Sequence, residues 1–264
     1  MSIALRAFAT SLAVATALGA AGCVSQTTIE TRAVQDTRAP VDNRRRAEIR
    51  AALAGEYYQR GNLQVALEEA ETASREDPSY APAHNIRALV LMELGEQARA
   101  RSAFEEAQRL APKDPEVMNN FGWFLCRSGD YARAMDLFAS AQLVPLYATP
   151  EKPLLNAGLC ARRQGRNDDA ETSLRRALAI RADLPSALLT LAEIAFEGRR
   201  FVEADELFIR YSRLAEPPLP ALALGVRIAR AAEDKATADS LAAQMRRRFP
   251  NAAETRELAG PPRP

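Results

Sequence analysis

The sequence predicts an all-α solenoid, a stack of about six helix–turn–helix repeats that each span about 34 residues. Glycine, alanine and proline recur at that interval along the chain. The recurring pairs are Gly61 and Gly95, Ala66 and Ala100, Ala73 and Ala107, and Pro78 and Pro112. Hydrophobic residues make up 47% of the 264 residues, which is ample for one continuous core.

The apolar residues within a repeat also fall on one helical face. In the second unit they stand three or four positions apart, and they are Ala100, Ala103, Phe104, Ala107 and Leu110. Small residues let paired helices approach closely, and Gly61 and Gly95 stand where the chain must turn between the two helices. A period of 34 with small, aromatic and proline residues in this order is the tetratricopeptide pattern.

Residues 1–22 are predicted to form an export signal. A single basic residue, Arg6, precedes an apolar run from Ala7 to Ala21 that is short for a membrane span. The run ends in Leu18-Gly19-Ala20-Ala21-Gly22-Cys23, which resembles a bacterial lipoprotein signal. The resemblance implies that Cys23 becomes the lipidated first residue of the mature chain. Ordinary cleavage near the same site is the alternative.

The residue after Cys23 bears on location. In the sorting of such lipoproteins, a residue other than aspartate there, in this case Val24, implies the outer membrane. We therefore expect a lipid-anchored protein that faces the periplasm, where disulfides can persist. Residues 23–43 are rich in Thr, Gln, Arg and Asp, contain Pro40 and lack a helical period, so they are predicted to form a flexible tether.

The repeat domain is predicted at residues 44–252. Its units start near six residues, Ala47, Ala81, Pro115, Glu151, Pro185 and Pro218. The fifth unit carries its turn glycine, Gly198, one place early, and the sixth is degenerate, as a terminal capping repeat would be. Residues 253–264 are predicted to be a disordered tail.

Charge and composition exclude several classes of function. The chain has 35 basic and 34 acidic residues, whereas proteins that bind nucleic acid through its phosphates carry a clear basic excess. A single histidine, His84, provides neither a metal cluster nor a catalytic relay. No Gly-rich phosphate loop or paired acid–base constellation is present in the sequence, so no cofactor and no enzymatic activity are expected.

Two stretches are more specific than the repeat pattern. They are the run Asn119-Asn120-Phe121-Gly122-Trp123-Phe124-Leu125-Cys126 and the loop Pro145-Leu146-Tyr147-Ala148-Thr149-Pro150, which is followed by Leu155-Asn156-Ala157-Gly158-Leu159-Cys160. Together they resemble the type IV pilus biogenesis/stability lipoprotein family (PilF/PilW). The resemblance implies an outer-membrane lipoprotein that acts by binding. Such a protein helps the secretin, the pilus pore, to localise or multimerise, and it supports stable pilus fibres.

The resemblance also implies a disulfide between Cys126 and Cys160, because family members that share both cysteines look stapled there. Adjacent first helices are neighbours in a repeat stack, so a bridge is possible if the two Cα atoms lie within about 7 Å. The alternative is two buried thiols that serve as small apolar side chains.

Six polar or aromatic side chains are predicted to line a partner-binding groove, and they are Asn85, Asn119, Trp123, Arg127, Arg162 and Arg163. Asparagine and arginine there would hold a peptide's backbone or carboxylates, and tryptophan would anchor it. Alternatively, Asn119 or Asn120 only caps or bridges helices, Trp123 is core, and the arginines are solvated.

The sequence therefore favours a binding scaffold whose partners are the secretin and other pilus assembly proteins, with outer-membrane lipid at the anchor and no nucleic acid. An adaptor for another envelope or peptidoglycan-synthesis complex is the alternative.

Overall fold

Residues 38–259 are the part of the chain that the structure, a computed structural model, describes, and within that range it forms helices and no strand. The thirteen described helices are α1 (Arg38–Gln59), α2 (Leu63–Glu76), α3 (Ala81–Glu93), α4 (Gln97–Leu110), α5 (Pro115–Arg127), α6 (Tyr131–Gln142), α7 (Glu151–Arg163), α8 (Asn167–Ile180), α9 (Pro185–Glu197), α10 (Phe201–Leu214), α11 (Leu219–Ala231), α12 (Lys235–Arg248) and α13 (Ala253–Ala259). The prediction of an all-α class is confirmed.

The helices are arranged as six consecutive pairs, from α1–α2 to α11–α12, followed by α13. From α3 onward, each first helix packs against its own second helix, against the second helix before it, and against the first helices of neighbouring pairs. This is the predicted solenoid, in which neighbouring pairs bury one another's apolar faces. The helices α3, α5, α7 and α9 begin at the residues where the sequence places the starts of their units.

The turns inside the pairs follow from glycine. Gly61, Gly95, Gly129 and Gly165 each follow a first helix with φ between 73° and 85°, a left-handed conformation that glycine adopts without steric cost. In the fifth pair Gly198 stands one place early, so Arg199 takes the left-handed position with φ of 58°.

Close contact between paired helices depends on two further glycines. A Cβ atom on Gly122 of α5 would lie 2.8 Å from the Phe138 ring of α6, and one on Gly158 of α7 would lie 2.6 Å from Leu174 Cγ of α8. Both distances are shorter than any ordinary carbon–carbon contact. These positions therefore require glycine for lack of space.

The start of the repeat domain differs from the prediction. The tether was predicted to extend to residue 43, but α1 begins at Arg38. Pro40 does not prevent this, because proline is tolerated in the first turn of a helix. Arg46 favours the longer helix, since it donates a hydrogen bond of 2.6 Å to Glu76 of α2 and pairs with Asp42 one turn earlier. The predicted signal, residues 1–22, and Cys23 lie outside the described residues.

The end of the domain differs as well. Part of the tail predicted to be disordered forms α13, which packs against α11 and α12. Thr255 of α13 is 1% exposed, and Arg230 of α11 donates a hydrogen bond of 2.6 Å to the Leu258 carbonyl. The last pair is therefore covered by a short additional helix. Residues 260–264 lie outside the described range.

No helix between residues 38 and 259 is both long enough and apolar enough to cross a lipid bilayer.

Candidate functional site

The first helices α3, α5 and α7 carry three parallel rows of side chains, two of which continue on α9. The rows arise because equivalent positions of neighbouring repeats lie side by side. The rows stand at about the fifth, ninth and thirteenth residues of each helix. We call them the asparagine, apolar and charged rows.

The asparagine row is a chain of amide hydrogen bonds across the three helices. Asn156 of α7 donates to Asn119 Oδ1 at 2.9 Å, Asn119 donates to Asn120 Oδ1 at 3.3 Å, and Asn120 donates to Asn85 Oδ1 of α3 at 3.4 Å. Asn119 is 3% exposed, so it bridges helices and does not line an open groove, which corrects the prediction for this residue. Asn85 and Asn120 are half-buried and remain accessible at the surface.

The apolar row consists of the ninth residues Leu89, Trp123 and Leu159, and each of them is half-buried. Trp123 packs against the core cluster that includes Phe104, Phe121 and Phe124, and part of its ring stays accessible. It therefore contributes to the core and to the surface at once. The row continues on α9 with Glu193, whose pKa is raised by burial.

The charged row consists of the thirteenth residues Glu93, Arg127, Arg163 and Glu197. Arg127 is exposed and donates a hydrogen bond of 2.7 Å to Glu93 Oε1 across the α3–α5 contact. Arg163 is also exposed, and it forms no ion pair or hydrogen bond with any described residue. In this row Arg127 is therefore paired with a carboxylate, whereas the guanidinium of Arg163 has no partner among the described residues.

Arg162 lies beside this row but serves another purpose. Its guanidinium donates to Glu197 Oε2 at 2.8 Å and to Asn167 Oδ1 at 2.7 Å, and so ties α7 to α9 and α8. The hydrogen bond from Arg162 lowers the pKa of Glu197. Arg162 is therefore occupied in an inter-repeat ion pair, while Arg127 and Arg163 line one common cleft.

A disulfide joins Cys126 of α5 to Cys160 of α7 in the structure, with the two Cα atoms 5.9 Å apart. Both cysteines are fully buried. The bond lies close to the charged row along both helices, because Arg127 directly follows Cys126 and Arg163 is three residues after Cys160. It holds the two helices that carry most of the three rows at a fixed spacing.

The loop between α6 and α7 exposes two leucines that were not among the predicted groove residues. Leu143 is 82% exposed and Leu146 is fully exposed, with φ of 59° at Leu146. The loop is tied to α5 through Glu116, which accepts hydrogen bonds from Thr149 at 3.1 Å and Lys152 at 2.9 Å. Burial raises the pKa of the adjacent Tyr147. The loop is thus anchored at its base while its leucines face solvent.

The described residues offer no group of His, Cys, Asp or Glu side chains that could hold a metal ion. The three rows instead provide amide donors and acceptors, an apolar strip and guanidinium groups. These are the groups that recognise an extended peptide.

The profile of the tetratricopeptide repeat family matches residues 51–115, 98–151 and 155–214. The type IV pilus assembly protein PilF of Pseudomonas aeruginosa is 28% identical over 242 residues, which cover 92% of this chain and 94% of that protein. An uncharacterized Haemophilus influenzae protein is 28% identical over 143 residues, which cover 54% of this chain and 80% of the relative.

Two solved structures resemble this fold over most of its length. The structure of Pseudomonas aeruginosa PilF superimposes with a TM-score of 0.74 and 26% identity, covering 82% of this chain and 97% of that one. The structure of PilW, described as a widely conserved type IV pilus biogenesis factor, gives a TM-score of 0.72 and 32% identity, covering 80% and 97%. The chain therefore belongs to the tetratricopeptide repeat family and, within it, to the PilF/PilW family of type IV pilus proteins.

Proposed function

We propose that this protein is a non-enzymatic periplasmic scaffold for type IV pilus biogenesis, anchored to the outer membrane by a lipid on Cys23. In this role it promotes localisation or multimerisation of the secretin and supports pilus stability. The main support is its similarity to PilF and PilW along nearly their whole lengths. Because the matches cover 94% of PilF and 97% of the PilW chain, this protein has counterparts to nearly all of their residues.

The three rows supply a surface suited to this role. The amides of Asn85 and Asn120 can exchange hydrogen bonds with the backbone of an extended segment, and Trp123 offers a rigid aromatic anchor. Because the disulfide and the amide chain already fix the helices, binding costs little ordering of the scaffold. A scaffold of this kind works by holding a partner in position.

The lipid anchor is supported by the sequence around Cys23. An anchored scaffold would remain at the membrane in which the secretin assembles, and this confinement raises its effective concentration there. The repeat domain would then meet its partner in the periplasm.

The test compares heat-resistant secretin multimers in outer membranes from wild type, a Cys23→Ala variant and a full deletion, with total secretin as the control. The proposal expects fewer multimers in both mutants at unchanged total secretin. Normal multimers in Cys23→Ala but not in the deletion would remove the anchor from the proposal.

Normal multimers together with normal surface pili and twitching in the deletion strain would remove the pilus role altogether. A pull-down with the intact lipoprotein then distinguishes the alternative. Recovery of peptidoglycan-synthesis enzymes would assign the scaffold to a different envelope complex.

A further inference from the structure

Four large apolar side chains are exposed along one edge of the repeat stack. Consecutive helices run in opposite directions, so each second helix ends at the edge where the next first helix begins. The four side chains stand at or just beyond the ends of α6, α8 and α10, and we call them the edge patch: Leu143, Leu146, Ile180 and Leu214. Residues 42–259 expose eight large apolar side chains, so half of these belong to the edge patch.

Polar contacts show that the three helix ends lie side by side. Arg176 of α8 donates a hydrogen bond of 3.3 Å to Gln142 Oε1, at the end of α6. Arg210 of α10 donates one of 3.2 Å to the Ala182 carbonyl oxygen, just beyond α8. The edge patch therefore extends across the third, fourth and fifth pairs.

Three exposed arginines without a carboxylate partner among the described residues border the edge patch, and they are Arg176, Arg210 and Arg213. Arg176 precedes Ile180 by four residues, so both lie on one face of α8. Arg210 and Leu214 have the same relation on α10. On each helix the apolar side chain thus stands at the very end, and the guanidinium group lies about 6 Å behind it along the helix axis.

The carboxylates at the neighbouring turns are already paired. Glu216 lies 3.2 Å from Arg248, and Asp183 lies 3.9 Å from Arg181. Glu151 is buried and lies 3.1 Å from Arg181 as well. The edge therefore combines exposed aliphatic groups with positive charge, in a chain whose net charge is only +1.

The loop between α6 and α7 holds Leu146 in an outward position. Its φ of 59° is left-handed, a conformation that costs an ordinary residue free energy, and no burial of the side chain offsets that cost. The base of the loop is fixed, because Thr149 and Lys152 both donate hydrogen bonds to Glu116. An apolar side chain fixed in water gains free energy when it enters an apolar medium.

We propose that the edge patch binds the surface of an anionic lipid bilayer, with its aliphatic side chains among the acyl chains and its arginines among the phosphates. Amphipathic surfaces that bind bilayers bury their apolar side about 5–10 Å below the headgroups. The offset of about 6 Å between each guanidinium group and the apolar side chain at the helix end fits that depth. Basic groups beside an anionic leaflet add electrostatic attraction.

The course of the chain favours a membrane over a protein partner, and this step rests on the lipid anchor proposed above. The helix α1 begins at the edge that carries the patch, since Arg44 in its second turn lies 3.1 Å from Asp77, just beyond α2. Cys23 precedes Arg38 by 15 residues, which span at most about 50 Å. The patch therefore stands at the edge from which the chain leads to the anchor.

Two other occupants fit the edge patch less well. A second copy of the chain would place the same arginines against one another, because a two-fold contact joins identical surfaces. A protein partner would be expected to meet aromatic anchors, whereas the patch is aliphatic and is spread over three repeats. A bilayer needs no matching pocket, because acyl chains adapt to each side chain.

The test places a tryptophan reporter in the purified mature protein, which is mixed with vesicles of phosphatidylethanolamine and phosphatidylglycerol. Trp123→Phe removes the sole native tryptophan, and Leu146→Trp then reports from the edge patch. Val202→Trp is the matched control, because Val202 is 73% exposed at the opposite end of α10 from Leu214. Lipids brominated on their acyl chains should quench the reporter at position 146 about threefold more than the one at 202.

The arginines are tested in the same background. Arg176→Gln combined with Arg213→Gln should shift the docking equilibrium about fivefold for each charge removed, and quenching at position 146 should fall. Arg227→Gln is the control, because Arg227 is exposed on α11 and has no ion-pair partner among the described residues. Vesicles of phosphatidylcholine alone should also reduce the quenching. Circular dichroism should show equal helix content for all variants, since the replaced arginines lie on the surface.

Equal quenching at positions 146 and 202, or quenching at 146 that ignores both the arginines and phosphatidylglycerol, would overturn the proposal. An emission shift of the 146 reporter with protein concentration, without vesicles, would overturn it in favour of a second copy. An unquenched reporter that responds only to solubilised outer-membrane proteins would overturn it in favour of a protein partner. The pilus role fails separately, because quenching requires no secretin and the multimer assay does not measure contact between the patch and lipid.

Discussion

His84 is a buried histidine whose two ring nitrogens have separate partners. Its side chain lies in α3 and is 6% exposed. Nε2 lies 2.9 Å from the Pro78 carbonyl oxygen, and Nδ1 lies 3.4 Å from Arg87 Nη2. A carbonyl only accepts, so Nε2 carries the proton and donates it, while Nδ1 accepts from Arg87. This arrangement fits the neutral ring.

Burial, with Arg87 nearby, lowers the pKa of His84 from its ordinary value of 6.5. As pH falls through 6.5, the unfolded chain binds a proton that the folded chain does not. The free energy of unfolding therefore decreases, until the pH reaches the lowered pKa of the folded state. The slope cannot exceed about 1.4 kcal/mol per pH unit for one proton.

We expect His84→Gln, which keeps a donor toward Pro78, to remove this pH dependence. Urea denaturation of wild type and variant between pH 7.5 and 5 measures it. Parallel slopes for the two proteins over that range would contradict the assignment to His84.

Gly122 shows how one missing Cβ sets the distance between two helices. Gly122→Ala would push against the Phe138 ring, and we expect it to lower the free energy of unfolding by about 1–3 kcal/mol, as overpacking does. Gly55→Ala in α1 is the control, because nothing lies within 4 Å of a Cβ placed there. That variant should be neutral or more stable by up to about 1 kcal/mol. Chemical denaturation compares them, and equal effects would refute the packing argument.

Among the elements, α5 and α7 are linked by a covalent bond as well as by polar contacts. They share the disulfide and the amide chain, and ion pairs extend the connection to α3 and α9. These contacts link residues 33 to 37 positions apart, which is about one repeat. The repeat period therefore organises the polar contacts as well as the apolar core.

The disulfide makes a testable contribution at this scale. Closing a loop with a sequence separation of 34 residues restricts the unfolded chain, so its loss should lower the free energy of unfolding by about 3–4 kcal/mol. Thermal denaturation with and without reductant should show a lower Tm for reduced wild type. A Cys126→Ala/Cys160→Ala variant should not respond to reductant. Free thiols at both positions in oxidised wild type would contradict the bond.

The ends of the elements show where sequence reasoning succeeds. Starts of four first helices follow from the period alone, because each repeat supplies the same contacts to the next. The start of α1 at Arg38 and the whole of α13 were missed, for different reasons. Pro40 suggested irregular structure although a first turn tolerates it, and α13 is stabilised by contacts with α11 and α12 that composition does not reveal.

The candidate site was predicted in part for similar reasons. Trp123, Arg127 and Arg163 lie at an accessible surface, as their positions in the first helices indicated. Asn119 is buried, and Asn156, 37 residues later, donates a hydrogen bond to its side-chain oxygen. Asn156 stands 36 residues after Asn120, which is also the distance between the unit starts Pro115 and Glu151, so this longer step was a usable signal.

At the scale of the whole molecule, the stability of the repeat domain is the sum of contributions from successive helix pairs and from the contacts between neighbouring pairs. Each pair contacts only its neighbours, so terminal pairs are free to fray while the centre stays folded. In the described chain, α13 limits fraying at the C-terminal end, and the disulfide links the third pair to the fourth. The three rows lie on those central pairs and on α3, where the stack is most securely held.

The Cys126–Cys160 bond has a consequence for how the chain responds to a pulling force. When a pulling force unfolds a repeat stack from its two ends, each unfolded residue adds its extended length to the distance between the ends. The segment between the two cysteines cannot be drawn out, because the bond bypasses it and carries the load. About 115 Å of contour stays locked, at about 3.4 Å for each of the 34 residues of sequence separation. Under tension the segment between the two cysteines therefore keeps its length, while the repeats on either side can unfold.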